Sequence, residues 1–308
     1  MPNLADPLVS LALAGDRAAL ARLISRVEAR ARGADALMAG MAARRRVGPG
    51  APRVVGITGP PGAGKSTFTD RLVTSARAAD RRVGVIAVDP SSPFTGGAIL
   101  GDRLRLDQHA MDPGVYIRSL SARGHTGGLS RACGQVVDVL DAVGYDDVVV
   151  ETVGVGQGEL GIMEVADTVL VVLTPESGDA VQAMKAGLLE IADVFVVNKA
   201  DRPGASALVR ELELAVHLDP RPGWKAPVFA ASALRGTGVE PVVLALAEHA
   251  AWLCGEGRGA WSERRAEGRV RTWLDLVAED ARARAMSTHA EAMEALRRGE
   301  RTPESMPR

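Results

Sequence analysis

Short runs of apolar residues recur through the middle of the chain, separated by spacers of helical length. The runs are RVVGIT (53–58), RVGVIAVD (82–89), DDVVVET (146–152), TVLVVLTP (168–175), VFVVNKAD (194–201) and PVFAASA (227–233). Nearly continuous apolar strands are typical of parallel sheets, because helices cover both faces of such a sheet. Their alternation with helices predicts a doubly wound, mostly parallel α/β fold that binds ligands at the carboxyl ends of its strands.

Both ends of the chain show the helical period of apolar residues instead. Asp16 is placed to cap a first helix. The apolar stripe of that helix comprises Leu20, Leu23, Ile24 and Val27. The stripe of a helix near the other end comprises Val270, Trp273, Leu274 and Val277. We therefore expect a helical extension over residues 1–47, an α/β domain over 48–250 and a helical arm over 251–308.

The helical arm carries three of the four tryptophans, at positions Trp252, Trp261 and Trp273. These rings can pack on the sheet domain of their own chain. Alternatively they can form a subunit interface, where tryptophan is enriched. The sequence leaves both interpretations open.

Composition narrows the possible partners and the compartment. Lys plus Arg number 37 and Asp plus Glu 38, so the charge balance favours neither nucleic acid nor an anionic membrane as a partner. No apolar run approaches the ~20 residues that a membrane span requires. Cys133 and Cys254 match no metal-binding spacing, and we expect two buried thiols in a reducing cytoplasm.

A phosphate-binding motif follows the first predicted strand. It comprises Gly59, Pro60, Pro61, Gly62, Ala63, Gly64, Lys65, Ser66 and Thr67, which is a complete G-x-x-x-x-G-K-S with one more threonine. Because a strand precedes it and a helical stretch follows, the context is that of a P-loop. Such a loop surrounds phosphate with backbone N–H groups at a helix N-terminus. Lys65 is expected to contact the β- and γ-phosphates, and Ser66 to bind Mg²⁺.

A second motif, Asn198, Lys199 and Asp201 in an N-K-x-D, directly follows the strand VFVV, the fifth of the predicted series. A carboxylate at position 201 can accept hydrogen bonds from the ring N–H and the exocyclic amine of guanine. Adenine lacks both donors, so the carboxylate would stay unpaired. Lys199 is expected to lie along the base. An auxiliary base loop is predicted at Ser232, Ala233 and Leu234.

Two acids end predicted strands on the phosphate side of the sheet, where a hard cation needs oxygen ligands. Asp89 ends RVGVIAVD and Glu151 ends DDVVVET. Most P-loop proteins have Asp at the second position, and the longer Glu151 suggests contact through water or with a switch segment. Asp102 is a further candidate for the Mg²⁺ site.

Gly154 lies three residues after Glu151 and can give its N–H to a γ-phosphate, so this loop is predicted to distinguish GTP from GDP. In Ras-like proteins a glutamine that orients water directly follows this glycine. Here Val155 follows, and the nearest glutamine is Gln157. Slow intrinsic hydrolysis is therefore expected, as in switches that await a partner.

These motifs together resemble the methylmalonyl-CoA mutase-associated GTPases, the MeaB/ArgK family, from about residue 15 to 285. The most specific stretches are GITGPPGAGKST, VDPSSPFTGGAILGDRLR, ETVGVGQGE and AMKAGLLEIADVFVVNKAD. The resemblance implies a homodimer built largely by the C-terminal arm. It also implies an adenosylcobalamin-dependent acyl-CoA mutase as partner, for which the GTPase controls cofactor delivery and the release of damaged cofactor. By motif match, Lys185 lies in a loop that couples that partner to the nucleotide.

Three alternatives remain beside a GTP-hydrolysing mutase chaperone. A P-loop alone also permits an ATP-dependent kinase or ATPase, although Asp201 argues against one. A GTPase that serves another metalloenzyme, such as a nickel-insertion GTPase, would share the fold. Five scattered histidines and two separated cysteines supply no metal-gathering tract for that role. A dimeric scaffold that does not hydrolyse nucleotide is the third alternative.

Overall fold

The computed structural model of the 308-residue chain describes residues 6–31, 33–46, 50–89, 106–121, 131–152, 161–176, 187–220, 223–300 and 302. A seven-stranded sheet forms its centre, in the order β3-β2-β4-β1-β5-β6-β7, and every strand pair is parallel. The strands are β1 Arg53–Thr58, β2 Val83–Asp89, β3 Val115–Ser121, β4 Asp147–Thr152, β5 Thr168–Leu173, β6 Val194–Val197 and β7 Val228–Ala230. The predicted doubly wound α/β fold is confirmed.

One strand was missing from the sequence-based prediction. Strand β3 lies at the edge of the sheet and pairs only with β2. Its sequence, VYIRSLS, has Arg118, Ser119 and Ser121 in its second half, and such polar residues are tolerated because an edge strand is not covered as fully as a central one. The prediction relied on continuous apolar runs and therefore passed over it. The strand VFVV is consequently the sixth of the sheet, not the fifth.

Helices flank the sheet and continue at both ends of the chain. They are α1 Pro7–Leu13, α2 Arg17–Glu28, α3 Ala34–Ala42, α4 Lys65–Ala78, α5 Arg131–Ala142, α6 Leu188–Ile191, α7 Ala205–Leu218, α8 Val239–Cys254, α9 Arg258–Thr288 and α10 Ala290–Arg297. The predicted cap of α2 is confirmed, since the Asp16 carboxylate accepts a hydrogen bond from the Ala19 N–H at 2.9 Å. The whole predicted stripe of α2 is buried.

Three clusters of buried apolar side chains hold the helices on the sheet. Helices α1, α2 and α3 share the first cluster with α5 and with strands β2 and β4, so the N-terminal segment belongs to the same core as the sheet. Helices α4 and α8 cover the opposite face through the second cluster. Helices α6 and α7 pack on β5 and β6 through the third. The carboxyl ends of the strands are thereby fixed relative to α4.

Residues 1–265 and 266–308 form two compact units. Within the first unit, Trp261 packs on the sheet domain, because its indole N–H donates to Asp167 Oδ1 at 2.7 Å. Arg265 binds both oxygens of the same carboxylate at 2.6 and 2.8 Å. The ring centroids of Trp252 and Trp224 lie 5.9 Å apart. The division at residues 47 and 250 stays a prediction.

The second unit is helical and carries an exposed apolar stripe. Its large exposed apolar side chains are Val270, Trp273, Leu274, Val277 and Met286. All five belong to α9, and four of them form the stripe that the sequence predicted. Of the three tryptophans in the arm, Trp273 is the exposed one, whereas Trp252 and Trp261 are half-buried in the first unit.

The cysteine prediction was half wrong. Cys133 is buried, and burial raises the pKa of its thiol to about 12. Cys254 is exposed at the last turn of α8, because the buried face of that helix passes through Leu253 instead. No helix within the described residues is long and apolar enough to cross a membrane.

Candidate functional site

One cavity of about 480 Å³ opens at the carboxyl ends of the central strands. Its lining residues are Pro61, Gly62, Gly64, Lys65, Ser66, Thr67, Glu151, Asn198, Lys199, Asp201, Arg202, Ser232 and Leu234. All of them except Arg202 are residues that the sequence singled out. The strand order reverses next to β1, and a doubly wound sheet opens a crevice at that point.

The phosphate-binding motif forms the turn between β1 and α4. Gly59 and Gly64 both adopt positive φ angles, of 137° and 90°, which other residues adopt only at a cost. A Cβ atom on Gly59 would lie 2.0 Å from the carbonyl oxygen of Val172 in β5. The Lys65 ammonium is buried and donates to the carbonyl oxygens of Gly59 and Pro60, at 2.8 and 3.0 Å. The carbonyl groups at the start of the loop therefore hold the ammonium of the lysine at its end.

Glu151 is the penultimate residue of the central strand β4, and two hydroxyl groups of α4 bind its carboxylate. The Ser66 hydroxyl donates to Glu151 Oε1 and the Thr69 hydroxyl to Oε2, each at 2.6 Å. The carboxyl group is 6% exposed, so these bonds form in a low-dielectric setting where they are strong. Glu151 and Ser66, two predicted Mg²⁺ ligands, therefore lie in direct contact.

Asn198 connects the phosphate loop with the base loop. It directly follows β6, and its amide group is buried. Its Nδ2 donates to the Ala63 carbonyl oxygen at 2.8 Å, while its Oδ1 accepts from the Ala233 N–H at 3.0 Å. Gly64 leaves room for this bridge, because a Cβ atom there would lie 2.3 Å from Asn198 Nδ2.

Lys199 adopts a left-handed conformation, with φ of 56°. Its ammonium lies 3.2 Å from Glu176 Oε2, and the same carboxylate accepts a hydrogen bond from Arg202. The hydrogen bond from Arg202 is the main cause that lowers the pKa of Glu176, and the hydrogen bond from Lys199 lowers it further. The left-handed turn directs residues 199–202 along the rim of the cavity.

Asp201 is ionised at neutral pH. A hydrogen bond with Ser232 is the main cause that lowers the pKa of Asp201, and the charge of Arg235 adds to it. Arg235 Nη2 lies 3.2 Å from Asp201 Oδ2, with the arginine side chain largely exposed. Both side chains of this ion pair are partly exposed, so the carboxylate remains accessible as a hydrogen-bond acceptor.

The remaining predicted site residues are described only in part or not at all. Asp89 ends β2, two positions beyond Ala87, which pairs with Glu151 in the register of the sheet. Of its side chain the structure gives no description. Asp102, Gly154 and Lys185 lie outside the described residues, as does Gln157. Their roles stay predictions.

Four residues at the cavity escaped the sequence analysis. Thr69 follows Ser66 by three positions on α4, so helical spacing could have placed both hydroxyl groups on one face. The other three form ion pairs between segments that are distant in sequence, Arg202 with Glu176 and Arg235 with Asp201. No local sequence pattern predicts such pairs. The nearest signal is the position of Arg202 and Arg235 beside the N-K-x-D and the base loop.

Comparison with known proteins identifies the family. A family model described as methylmalonyl Co-A mutase-associated GTPase MeaB matches residues 20–290. The chain belongs to this GTPase family. It is accordingly an enzyme that hydrolyses GTP.

Individual relatives agree with this assignment. A Pyrococcus horikoshii protein named as a GTPase is 48% identical over 286 residues, which cover 90% of this chain and 88% of that protein. The fused isobutyryl-CoA mutase of Nocardia farcinica is 38% identical over 304 residues, covering 93% of this chain and 27% of the fused protein. A crystal structure titled LAO/AO transport system kinase has a TM-score of 0.71 at 24% identity, covering 97% of this chain and 93% of its own. That structural likeness concerns the fold alone.

The contact between Gly64 and Asn198 generates a stability prediction. We expect Gly64→Ala to lower the free energy of unfolding by roughly 2–3 kcal/mol, because it adds backbone strain and breaks the Asn198 hydrogen bond. Gly62→Ala is the matched control, since Gly62 also has positive φ, of 77°, but a Cβ atom there would meet nothing within 4 Å. It should cost only about 1 kcal/mol. Urea unfolding without nucleotide measures both, and equal losses would contradict the bridge.

Proposed function

We propose that this GTPase binds GTP or GDP with Mg²⁺ in the cavity and acts as a chaperone of an adenosylcobalamin-dependent acyl-CoA mutase. The observation that carries the nucleotide site is the Asn198 bridge, which joins the P-loop to the base loop at one cavity. Residues of the P-loop and of the N-K-x-D line the same cavity, so a single ligand that carries both a phosphate and a base can contact both. Fold and family membership alone would not assign these residues.

Phosphate binds at the P-loop end of the cavity. Lys65 already lies against the loop carbonyls at 2.8 and 3.0 Å, so its ammonium is held where it can neutralise phosphate charge. The N-terminus of α4 adds backbone N–H donors and a helix dipole. Lys65 therefore stabilises both the bound nucleotide and the charge that develops during hydrolysis.

The oxygen donors beside the P-loop fit a magnesium ion. Ser66 Oγ and the Glu151 carboxylate lie 2.6 Å apart, and hard oxygen atoms are the ligands that this cation prefers. Ser66 and Glu151 would hold it, with Asp89 and Asp102 as further candidates. When bound, Mg²⁺ neutralises charge on the β- and γ-phosphates. Thr69 fixes the second oxygen of Glu151 and thereby orients the carboxylate.

Guanine binds at the opposite end of the cavity. Asp201 is ionised at neutral pH, and the Ser232 hydrogen bond lowers its pKa further. Its carboxylate can therefore accept from the N–H and amine of guanine. Lys199 and Leu234 line the same cavity and would pack against the base. This arrangement disfavours ATP and therefore the kinase alternative.

Hydrolysis by the isolated chain is slow in this proposal. Gly154 gives its N–H to the γ-phosphate, but Val155 occupies the position at which Ras-like proteins carry a glutamine that orients water. A partner must then complete or reorient the site. The family description names methylmalonyl-CoA mutase, and one relative joins a homologous segment to isobutyryl-CoA mutase in a single chain. Both support an acyl-CoA mutase as that partner.

The chain also forms a homodimer in this proposal, through the arm over residues 251–308. The exposed stripe of α9, with Trp273 at 60% and Leu274 at 51% exposure, supports it. Apolar stripes of this kind commonly mark subunit interfaces. In a two-fold symmetric dimer, the stripe of each chain would cover the stripe of the other.

The guanine site is tested with Asp201→Asn. Asparagine offers a donor where guanine also has one, so we expect GTP affinity to fall about 100-fold, the cost of two lost charge-assisted hydrogen bonds. Xanthosine triphosphate has a carbonyl at that position and should bind the variant better than GTP. Competition among ATP, GTP and xanthosine triphosphate measures this. A wild type that binds ATP as well as GTP would contradict the guanine site.

The mutase role is tested by steady-state phosphate release with and without candidate acyl-CoA mutases. We expect the cognate mutase to raise the rate at least tenfold, and Lys185→Ala to lose most of that stimulation while keeping its GTP affinity. Lys225→Ala is the matched control, because Lys225 donates to the Asp219 carbonyl away from the cavity. No stimulation by any such mutase would contradict the chaperone role and leave only the GTPase. Stimulation that survives in Lys185→Ala would remove only the coupling role.

The dimer is tested by light scattering on the full chain at tens of micromolar. We expect wild type to have twice the chain mass, and Trp273→Glu with Leu274→Glu to be monomeric, because two charges would be buried unpaired at the interface. Leu214→Glu is the control, since Leu214 is equally exposed, at 60%, but lies on α7. A monomeric wild type would contradict the proposal.

A further inference from the structure

The base loop, residues 231–238, is a closed turn between β7 and α8. The Ser232 N–H donates to the Thr237 carbonyl oxygen at 2.9 Å, which closes its neck. Gly238 has φ of 73°, and a Cβ atom there would lie 2.4 Å from the Ala230 carbonyl oxygen. At the tip, Leu234 is 82% exposed and lines the cavity. The loop also holds part of its tip, since the Arg235 N–H donates to the Ser232 carbonyl oxygen at 3.0 Å and the Gly236 N–H to the Ala233 carbonyl oxygen at 3.2 Å. The Leu234 carbonyl oxygen accepts no backbone hydrogen bond within the described part of the loop, and further support comes from outside it.

That support comes from Arg71, in the second turn of α4. Its Nε donates to the Ala233 carbonyl oxygen at 2.8 Å and its Nη2 to the Leu234 carbonyl oxygen at 2.9 Å. Both bonds have a charged donor, and the planar guanidinium fixes two acceptors at once. Asn198 binds the N–H of Ala233. The two peptide groups at the tip are thus held from two sides.

The Arg71 contact, together with the weaker Gly236 hydrogen bond to the same carbonyl oxygen, fixes the direction of one backbone donor. A trans peptide is planar and its C=O and N–H groups point in opposite directions, and the described residues contain no cis peptide bond. When Arg71 binds the Ala233 C=O from α4, the N–H of Leu234 points away from α4. This N–H donates to no other group in the part of the chain that the structure describes. It is therefore available to a carbonyl oxygen of a bound base.

We propose that Arg71 is a positioning residue for guanine recognition, which aims the Leu234 N–H at the carbonyl oxygen on the six-membered ring of the base. This inference rests on the nucleotide site proposed above. Adenine carries an amine at the corresponding atom, and two donors would then face each other. Arg71 thereby adds to the selectivity for guanine that Asp201 provides, although it touches no part of the nucleotide.

The experiment measures GDP and ADP affinity for wild type, Arg71→Ala and Arg71→Lys by competition with a fluorescent GDP analogue. We expect Arg71→Ala to weaken GDP about tenfold and to change ADP affinity less than twofold, because only guanine uses the aimed N–H. Arg71→Lys keeps one donor and should restore part of the affinity. The control is Arg77→Ala, on the same helix, whose arginine binds Asp112 and the Arg81 carbonyl instead of the base loop. It should leave the ratio of GDP to ADP affinity unchanged.

The outcomes separate the inference from the site on which it rests. A wild type without preference for GDP over ADP contradicts the guanine site itself. A wild type with that preference, and an Arg71→Ala variant that keeps it, contradicts only the role of Arg71. Equal weakening of GDP and ADP in Arg71→Ala would also overturn it, because damage to α4 and the P-loop affects both nucleotides. Thermal unfolding of each variant without nucleotide confirms that it is folded, and Arg71→Lys carries the test if Arg71→Ala is not.

Discussion

A single buried amide, that of Asn198, joins the two halves of the candidate site. It accepts from one loop and donates to the other, at 3.0 and 2.8 Å, and it lies in a protein interior where unpaired polar groups are costly. Moving either loop alone would therefore leave an amide or a peptide group unsatisfied. The absence of a side chain at Gly64 is the condition for this contact. The residue type at Gly64 in the P-loop and that at Asn198 after β6 therefore depend on one another, although Asn198 and its partner Ala63 are 135 positions apart.

The parallel sheet explains why these segments meet at all. Strands β1, β4, β5 and β6 are neighbours or near neighbours in the sheet, although long helical connections separate them in the chain. Strand β1 leads directly into the P-loop, β4 carries Glu151 next to its last residue, and β6 is followed directly by Asn198. Burial on both faces fixes the register of these strands. The position of Glu151 opposite Ile57 in β1 follows from that register.

The features that the sequence predicted are those encoded by neighbouring residues, and several of the features that it missed depend on contacts between distant segments. The P-loop and the N-K-x-D are contiguous motifs after buried strands, and the structure brings both to one cavity. The edge strand β3 was missed because polar residues interrupt its apolar run, unlike those of the covered strands. Arg71 and Ala233 lie 162 positions apart, and nothing in either sequence neighbourhood indicates the contact. Thr69 could have been predicted, because residues three positions apart on a helix, such as Ser66 and Thr69, lie on the same face.

Helix α4 gathers the residues on which the proposed chemistry depends. Lys65, Ser66, Thr69 and Arg71 lie within two turns, a length of about 9 Å at 1.5 Å per residue. One end of this segment contacts the phosphate loop, its middle binds Glu151, and Arg71 holds the base loop. These contacts share one rigid element, whereas Glu151 belongs to the sheet. A displacement of α4 relative to the sheet would therefore alter phosphate, metal and base contacts together, which a partner could achieve without touching the nucleotide.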